Sequence, residues 1–225
     1  MDGEPGRRLA DRAAVGVLAR TFPVELVERV IEQFWVREQR SRKLPARLVF
    51  YLVLTLCLFP QESYRSATKI LLKAFGRGAD GPSVPTAEAI GNARRRLGAA
   101  PVETIVRHVI QPVAGPDTQG AWYRGWRLVA VDGTTFTVPD TEENDAQFGR
   151  PGTGRGDGKG AYPKAQAACL IELGTHAVFD ARLEPYRVSE NKLIEEMFTA
   201  LQPGMLVLAD RSVYSYQRWA RAAET

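Results

Sequence analysis

The sequence predicts an α+β / α/β protein: an all-helical N-terminal domain followed by a mixed β-sheet domain. Three observations carry this. Up to about residue 110, apolar residues recur at helical spacing. Past the segment VAGPDTQG, residues 113–120, the pattern changes to the β-branched run RLVAVDGTTFTV at 127–138. From there the segments read strand, hairpin, helix, strand, the order of an α/β unit. Residues 1–20 are rich in Gly, Arg and Ala and are expected to be loosely ordered. The helical domain then covers 21–112, a linker 113–121 and the sheet domain 122–225.

The first helix is expected from Val24 to about Arg37, with Val24, Val27, Val30, Ile31 and Phe34 on one face. Pro45 opens the second, where proline is tolerated. Its apolar run LVFYLVLTLCLF, residues 48–59, marks it as the centre of the core. A third helix spans Ser63 to Phe75, stopped by Gly76, Gly78 and Gly81. A fourth runs from Pro85 to Leu97 before Gly98, and a fifth from Pro101 to about Ile110. In the second half, a strand at Arg127–Val138 precedes a long Gly-rich loop, Thr141–Pro163. Strands Ala165–Leu173 and Ala177–Leu183 form a hairpin about Gly174-Thr175. A helix at Ser189–Leu201, a buried strand at Met205–Ala209 and a helix beginning near Tyr214 complete the chain.

Composition excludes several classes. Of 225 residues, 44% are hydrophobic and 25% charged, as in a soluble globular protein rather than a disordered one. The run at 48–59 is too short for a bilayer, which needs about 20 residues, and being internal it is no signal peptide. No membrane association and a cytoplasmic location, at the nucleoid, are therefore expected. Cys57 and Cys169 stand apart, in no metal-binding spacing, which argues against a disulfide scaffold or a zinc site. The net charge of +4 is contributed by the first half, since the second is slightly acidic. A polyanionic partner is favoured there.

Two aspartates stand out. Asp132 follows LVAV and precedes Gly133, and Asp210 ends MLVLA. Each has an ordinary reading: Asp-Gly is a hairpin turn signal, and Asp210 suits a helix N-cap. Each also has a chemical one. Were the two strands neighbours, both carboxylates would face one point, and like charges held close need a cation. Mg²⁺, hard and oxygen-loving, is the natural choice, with Mn²⁺ as its substitute. Two such ions can activate a water and stabilise the leaving 3′ oxygen of a phosphodiester.

Other motifs fall short. AVDGT at 130–134 is similar to the haloacid-dehalogenase phosphatase motif, but Ala130 stands where the nucleophilic aspartate is needed. TGRGDGKG at 153–160 lacks the first glycine and the Ser or Thr of a phosphate loop, so no nucleotide cofactor is expected. His108 and His176 lack Cys or His partners nearby.

In order and spacing, these segments resemble a DDE transposase of the insertion element 4 family. LPARLVFYLVLTLCLFPQESY at 44–64 and PTAEAIGNARRRL at 85–97 are similar to its helical N-terminal domain. VAVDGTTFTVP at 129–139, FGRPG at 148–152, GTHA at 174–177 and LADRSVYS at 208–215 are similar to the first two acidic motifs of its catalytic domain. The resemblance implies a partial RNase H-like core in which the first and fourth strands are neighbours. It makes Asp132 and Asp210 the first two metal carboxylates, and Arg211 a phosphate or substrate-strand contact. It implies DNA cleavage and strand transfer, with element ends and target DNA as partners and a homodimer on DNA. Ser212 and Val213 depart from the Gly and aromatic usual there, and Ser212 would crowd the turn if that position needs positive φ. The family's third acid, a Glu in a Tyr/Arg/Glu/Lys signature, has no counterpart, and Glu224 lies too early to replace it. A truncated chain with little or no cleavage activity is the expectation. The alternative is a catalytically inactive DNA-binding remnant or an inhibitor of transposition.

Arg94, Arg95 and Arg96 on one helix are the first candidates for DNA contact, against the ordinary role of cations at a helix C-terminus. Arg150, Arg155, Lys159 and Lys164 line the Gly-rich loop and would track a strand near Asp132. Trp122, Tyr123 and Trp126 would stack on bases or cover the core edge.

Overall fold

In the computed structural model, residues 15–36, 43–75, 84–152, 160 and 162–224 are described. The chain divides into two compact units, Met1–Val109 and Ile110–Thr225. The expected glycine stops at 76, 78 and 81, and loop residues 153–159, lie outside the described residues.

In the first unit, residues 15–21 are helical, the described part of α1. Val15 is buried in the core, which anchors this stretch; residues 1–14 of the segment expected to be loosely ordered lie outside the described residues. Helix α2, Val24–Gln33, ends earlier than expected. Phe34 caps it, and Trp35 adopts the left-handed conformation, φ 55°, that breaks the hydrogen-bond ladder. Helix α3, Ala46–Leu58, starts directly after Pro45. Helices α4, Tyr64–Ala74, and α5, Ala87–Leu97, start where Ser63 and Thr86 accept N–H bonds from Ser66 and Ala89. Helix α6 is Ala99–Val109.

The all-round apolarity of α3 has the expected consequence. Val49, Phe50, Tyr51 and Leu52 are all buried, packed among Val27, Val30 and Ile31 of α2, Leu71 of α4, Ile90 and Leu97 of α5, and Ile105 of α6. Each large side chain so buried contributes about 1.5–3 kcal/mol. Phe22 meets Phe50 edge to face at 5.6 Å, and the buried Tyr51 hydroxyl donates to the Phe22 carbonyl at 2.6 Å.

The second unit is a five-stranded mixed sheet: β1 Trp122–Tyr123, β2 Trp126–Thr137, β3 Lys164–Glu172, β4 Val178–Pro185 and β5 Met205–Ala209. Strands β1 to β4 pair antiparallel in sequence order. Strand β5 pairs parallel with β2. The connection to it runs through α8, Glu190–Met197, and a 3-10 turn, Phe198–Ala200. Val129 and Val131 of β2, Ala168 and Leu170 of β3, Phe179 of β4, and Leu193, Ile194 and Met197 of α8 share one core. The chain ends in α9, Tyr216–Ala223.

Two details differ from expectation. Strand β2 does not turn at Asp132-Gly133: both residues stay paired with β3, opposite Cys169 and Ala168. The Gly-rich loop contains a short helix, α7, Glu142–Phe148. Thr141 caps it, and Glu142, Glu143 and Asp145 in its first turn favour the positive end of the helix dipole.

The segment expected as a linker is fixed at its start. Glu172 is fully buried at the end of β3. Its carboxylate accepts N–H bonds from Val113 at 3.0 Å and Ala114 at 2.8 Å, and the Thr175 hydroxyl at 2.6 Å. The Arg127 guanidinium pairs with it and lies over the Trp122 ring, 4.6 Å from its centroid. A buried charge is tolerable only when so compensated. Gly174, φ 86°, turns the hairpin here, and a β-carbon on it would sit 2.7 Å from backbone atoms of Gln119 and Ala121.

Candidate active site

Strand alternation decides where the two acids point. Val129 and Val131 face the core under α8, so Asp132 faces the other side of the sheet, where it is exposed. On β5, Met205 and Val207 pack towards the same core, while Leu206 and Leu208 are 39% and 45% exposed. The parallel register pairs Ala130 with Leu208 and Val131 with Ala209. The next residues on the two chains are Asp132 and Asp210. Neighbouring strands lie about 4.8 Å apart, so the two acids leave adjacent strands side by side and on the same face.

Each carboxylate is locally anchored through one oxygen. Asp132 Oδ1 accepts the Gly133 N–H at 2.8 Å. Asp210 Oδ1 accepts the Ser212 N–H at 2.7 Å and caps the 3-10 turn Arg211–Val213. Asp210 thus caps this turn, whereas the helix that follows, α9, is capped by Ser215. Hydrogen bonds from the Ser212 backbone and then its side chain hold the Asp210 carboxyl below its ordinary value, so it is anionic at neutral pH. Across from Asp132, the Cys169 thiol is pushed up, first by burial and then by the charges of Asp180 and Asp132. Ser212 is not among the described residues with positive φ, so its departure from glycine causes no crowding. Val213 is buried in the core.

One nearby acid carries no sequence signal. Glu190, in the first turn of α8, lies over Gly133. In the sequence it reads as an ordinary first-turn helix acid behind the Ser189 cap. Among the described residues, no group of three or more His, Cys, Asp or Glu is arranged to hold a metal ion.

The basic candidates are distributed unevenly. Arg94 hydrogen-bonds the Tyr64 hydroxyl and stacks over that ring at 5.3 Å. Arg95 bonds Asn92 at 2.9 Å. Arg96 is partly buried and donates to the Leu44 carbonyl at 2.8 Å, a use within the helical unit. Arg150 pairs with Asp140 and, at 3.1 Å, with Asp145, and these hydrogen bonds raise its value further. Lys164 starts β3, and Arg211 is exposed in the turn after Asp210. Arg155 and Lys159 lie outside the described residues. Trp122 donates its indole N–H to the Gly115 carbonyl at 2.8 Å, whereas Tyr123 and Trp126 are half exposed. Among the described residues no helix is long and apolar enough to cross a membrane.

Residues 12–107 match the family model of the insertion element 4 transposase N-terminal domain, and residues 124–225 that of the transposase DDE domain. A putative transposase, InsZ, of Escherichia coli strain K12 is 28% identical over 199 residues, covering 88% of this chain and 64% of its own. The transposase InsG for insertion sequence element IS4, from the same organism, is 28% identical over 205 residues, covering 89% of this chain and 45% of its own. The chain thus spans less than two thirds of the length of either relative. No solved structure matches it.

Proposed function

The chain belongs to the insertion element 4 family of DDE transposases, and on that premise we propose that it is the DNA-binding and partial catalytic portion of a metal-dependent DNA strand-transfer enzyme. The observation that carries the catalytic part is the parallel β2–β5 pairing, in which Asp132 and Asp210 each follow a paired residue, Val131 and Ala209. The order strand, hairpin, helix, parallel strand supports an RNase H-like core.

The donor set fits a hard divalent cation in part. Two exposed carboxylates each accept a local N–H bond through Oδ1. Asp132 and Asp210 would hold Mg²⁺ or Mn²⁺, which when bound supplies charge stabilisation at a scissile phosphate. The protein's own contribution would be to hold the two acids in place. Ser212 does this for Asp210 by hydrogen bonding, and the sheet register does it for the pair. Arg211, exposed beside Asp210, is suited to hold a phosphate of the substrate strand.

A second reading is a DNA-binding protein without cleavage, a remnant or an inhibitor of transposition. That no group of three or more His, Cys, Asp or Glu among the described residues is arranged to hold a metal ion favours it. A nicking assay on element-end DNA with Mg²⁺ or Mn²⁺ separates the two. Cleavage that Asp132→Ala abolishes supports the enzyme. Binding without cleavage supports the second reading, and neither binding nor cleavage overturns both.

A further inference from the structure

Helix α4 carries a cationic stripe of its own, beside the start of the three-arginine run on α5. Its sequence, YRSATKILLKA, contains three cations and no carboxylate. Ala67, Thr68 and Leu71 are buried in the helical core, whereas Arg65, Lys69 and Lys73 are exposed. Spaced four residues apart, they line one side of the helix, about 6 Å between successive members. Among the described residues none of the three forms an ion pair or a side-chain hydrogen bond. Glu62, the nearest acid before the helix, is occupied by the Ser66 hydroxyl. Arg94 of α5, stacked on Tyr64 at the start of the same helix, extends the positive surface.

Three unneutralised cations in a row repel one another, so the stripe favours a regular polyanion. Duplex DNA offers one charge per ~1.7 Å of its axis. The stripe holds long flexible cations and no Asn or Gln that would read a base edge.

We propose that Arg65, Lys69 and Lys73, with Arg94 beside them, form a surface that grips duplex DNA by its phosphates, independently of sequence. The choice of DNA as the polyanion rests on the transposase reading, but the surface does not depend on Asp132 or Asp210. In this arrangement α4 supplies affinity and orientation, and any base readout lies elsewhere.

The test is fluorescence anisotropy of the full chain with a 30-base-pair duplex of random sequence, across a KCl series without divalent metal. Each phosphate contact contributes about 0.9 to the slope of log affinity against log salt. The triple variant Arg65→Gln/Lys69→Gln/Lys73→Gln is expected to lose about 2.7 from that slope. That corresponds to about 500-fold weaker binding at 0.1 M KCl for curves that meet at 1 M. Arg65→Lys, which keeps the charge, should leave the slope unchanged, and an unaltered circular dichroism melt shows that the triple variant is folded. A slope change below about 1, or wild-type chain that prefers single-stranded RNA to the duplex, overturns the proposal. The titration is run without divalent metal, so it reads binding and not cleavage. Failure of the nicking assay therefore overturns the catalytic reading and leaves this one standing.

Discussion

The side chain of Glu190 lies on the α-carbon of Gly133: a β-carbon built there would press into Glu190 Cγ and Cδ and fall 2.8 Å from Oε1. The glycine next to Asp132 thus leaves room for a close approach from α8 and forms no turn. Gly133→Ala must displace Glu190, and overpacking of this kind costs 1–3 kcal/mol. Because the displaced group is a flexible side-chain end, about 1 kcal/mol is expected. Adding Glu190→Ala should recover most of it. Urea denaturation of the two single variants and the double variant measures the coupling, and additive losses would contradict the packing described.

Glu172 makes the start of the second unit sensitive to pH. Burial pushes its carboxyl up, but hydrogen bonds from Thr175, Val113 and Ala114, and then Arg127, outweigh this and hold it below the ordinary glutamate value. A carboxyl depressed in the folded state stabilises the protein fully above its unfolded value, about 4.3, and loses that contribution as pH falls through the folded value. Glu172→Gln should therefore cost about 3 kcal/mol at pH 7, because it leaves Arg127 without its charge partner. The difference from wild type should shrink as pH drops below 4. Urea midpoints between pH 3 and 7 check this.

Asp210 caps a turn and is proposed to bind metal, and one substitution separates the roles. Asparagine caps as well as aspartate but carries no charge. Asp210→Asn should melt like wild type while weakening Mn²⁺ binding at least tenfold, as read by electron paramagnetic resonance of free Mn²⁺. Equal Mn²⁺ affinity in the two proteins would remove Asp210 from the site.

The charge of Asp132 reaches Cys169 across the β2–β3 pair. Asp132→Asn removes one of the two carboxylates that disfavour the thiolate, so the Cys169 value should fall. In a Cys57→Ser background, iodoacetamide should then alkylate Cys169 faster at pH 8 than it does with Asp132 in place. An unchanged pH profile would mean that the acid points elsewhere.

Phe50 is fully buried at the centre of α3, between Phe22 and Tyr51. Phe50→Ala should cost about 3–5 kcal/mol. The urea midpoint of the helical unit would fall accordingly, and a loss below 1 kcal/mol would contradict its central place.

The helices and strands were legible because their signals are local. Ser63, Thr86 and Ser189 cap helices at the positions their sequence context suggests, and the β-branched run after Arg127 became the central strand. Less legible were features set by distant partners. Helix α7 was hidden inside a segment whose glycines dominate its composition, although the Thr141 cap and the acids behind it were available as a signal. The turn reading of Asp132-Gly133 failed because nine residues of β3 lie opposite β2 and carry it through as a strand. Glu172 resembled any strand-end acid until the backbone of Val113 and Ala114 closed over it.

Residue order alone settled the class of the protein, the near-complete list of its elements and the two acids worth watching, because propensity, capping and hydrophobic period act over a few neighbours. That the two acids leave adjoining strands together was decided by the parallel seating of β5 on β2, a contact between segments some eighty residues apart. Strand pairing of that kind follows from how α8 covers the sheet and which face it dries, and no short stretch of sequence encodes it.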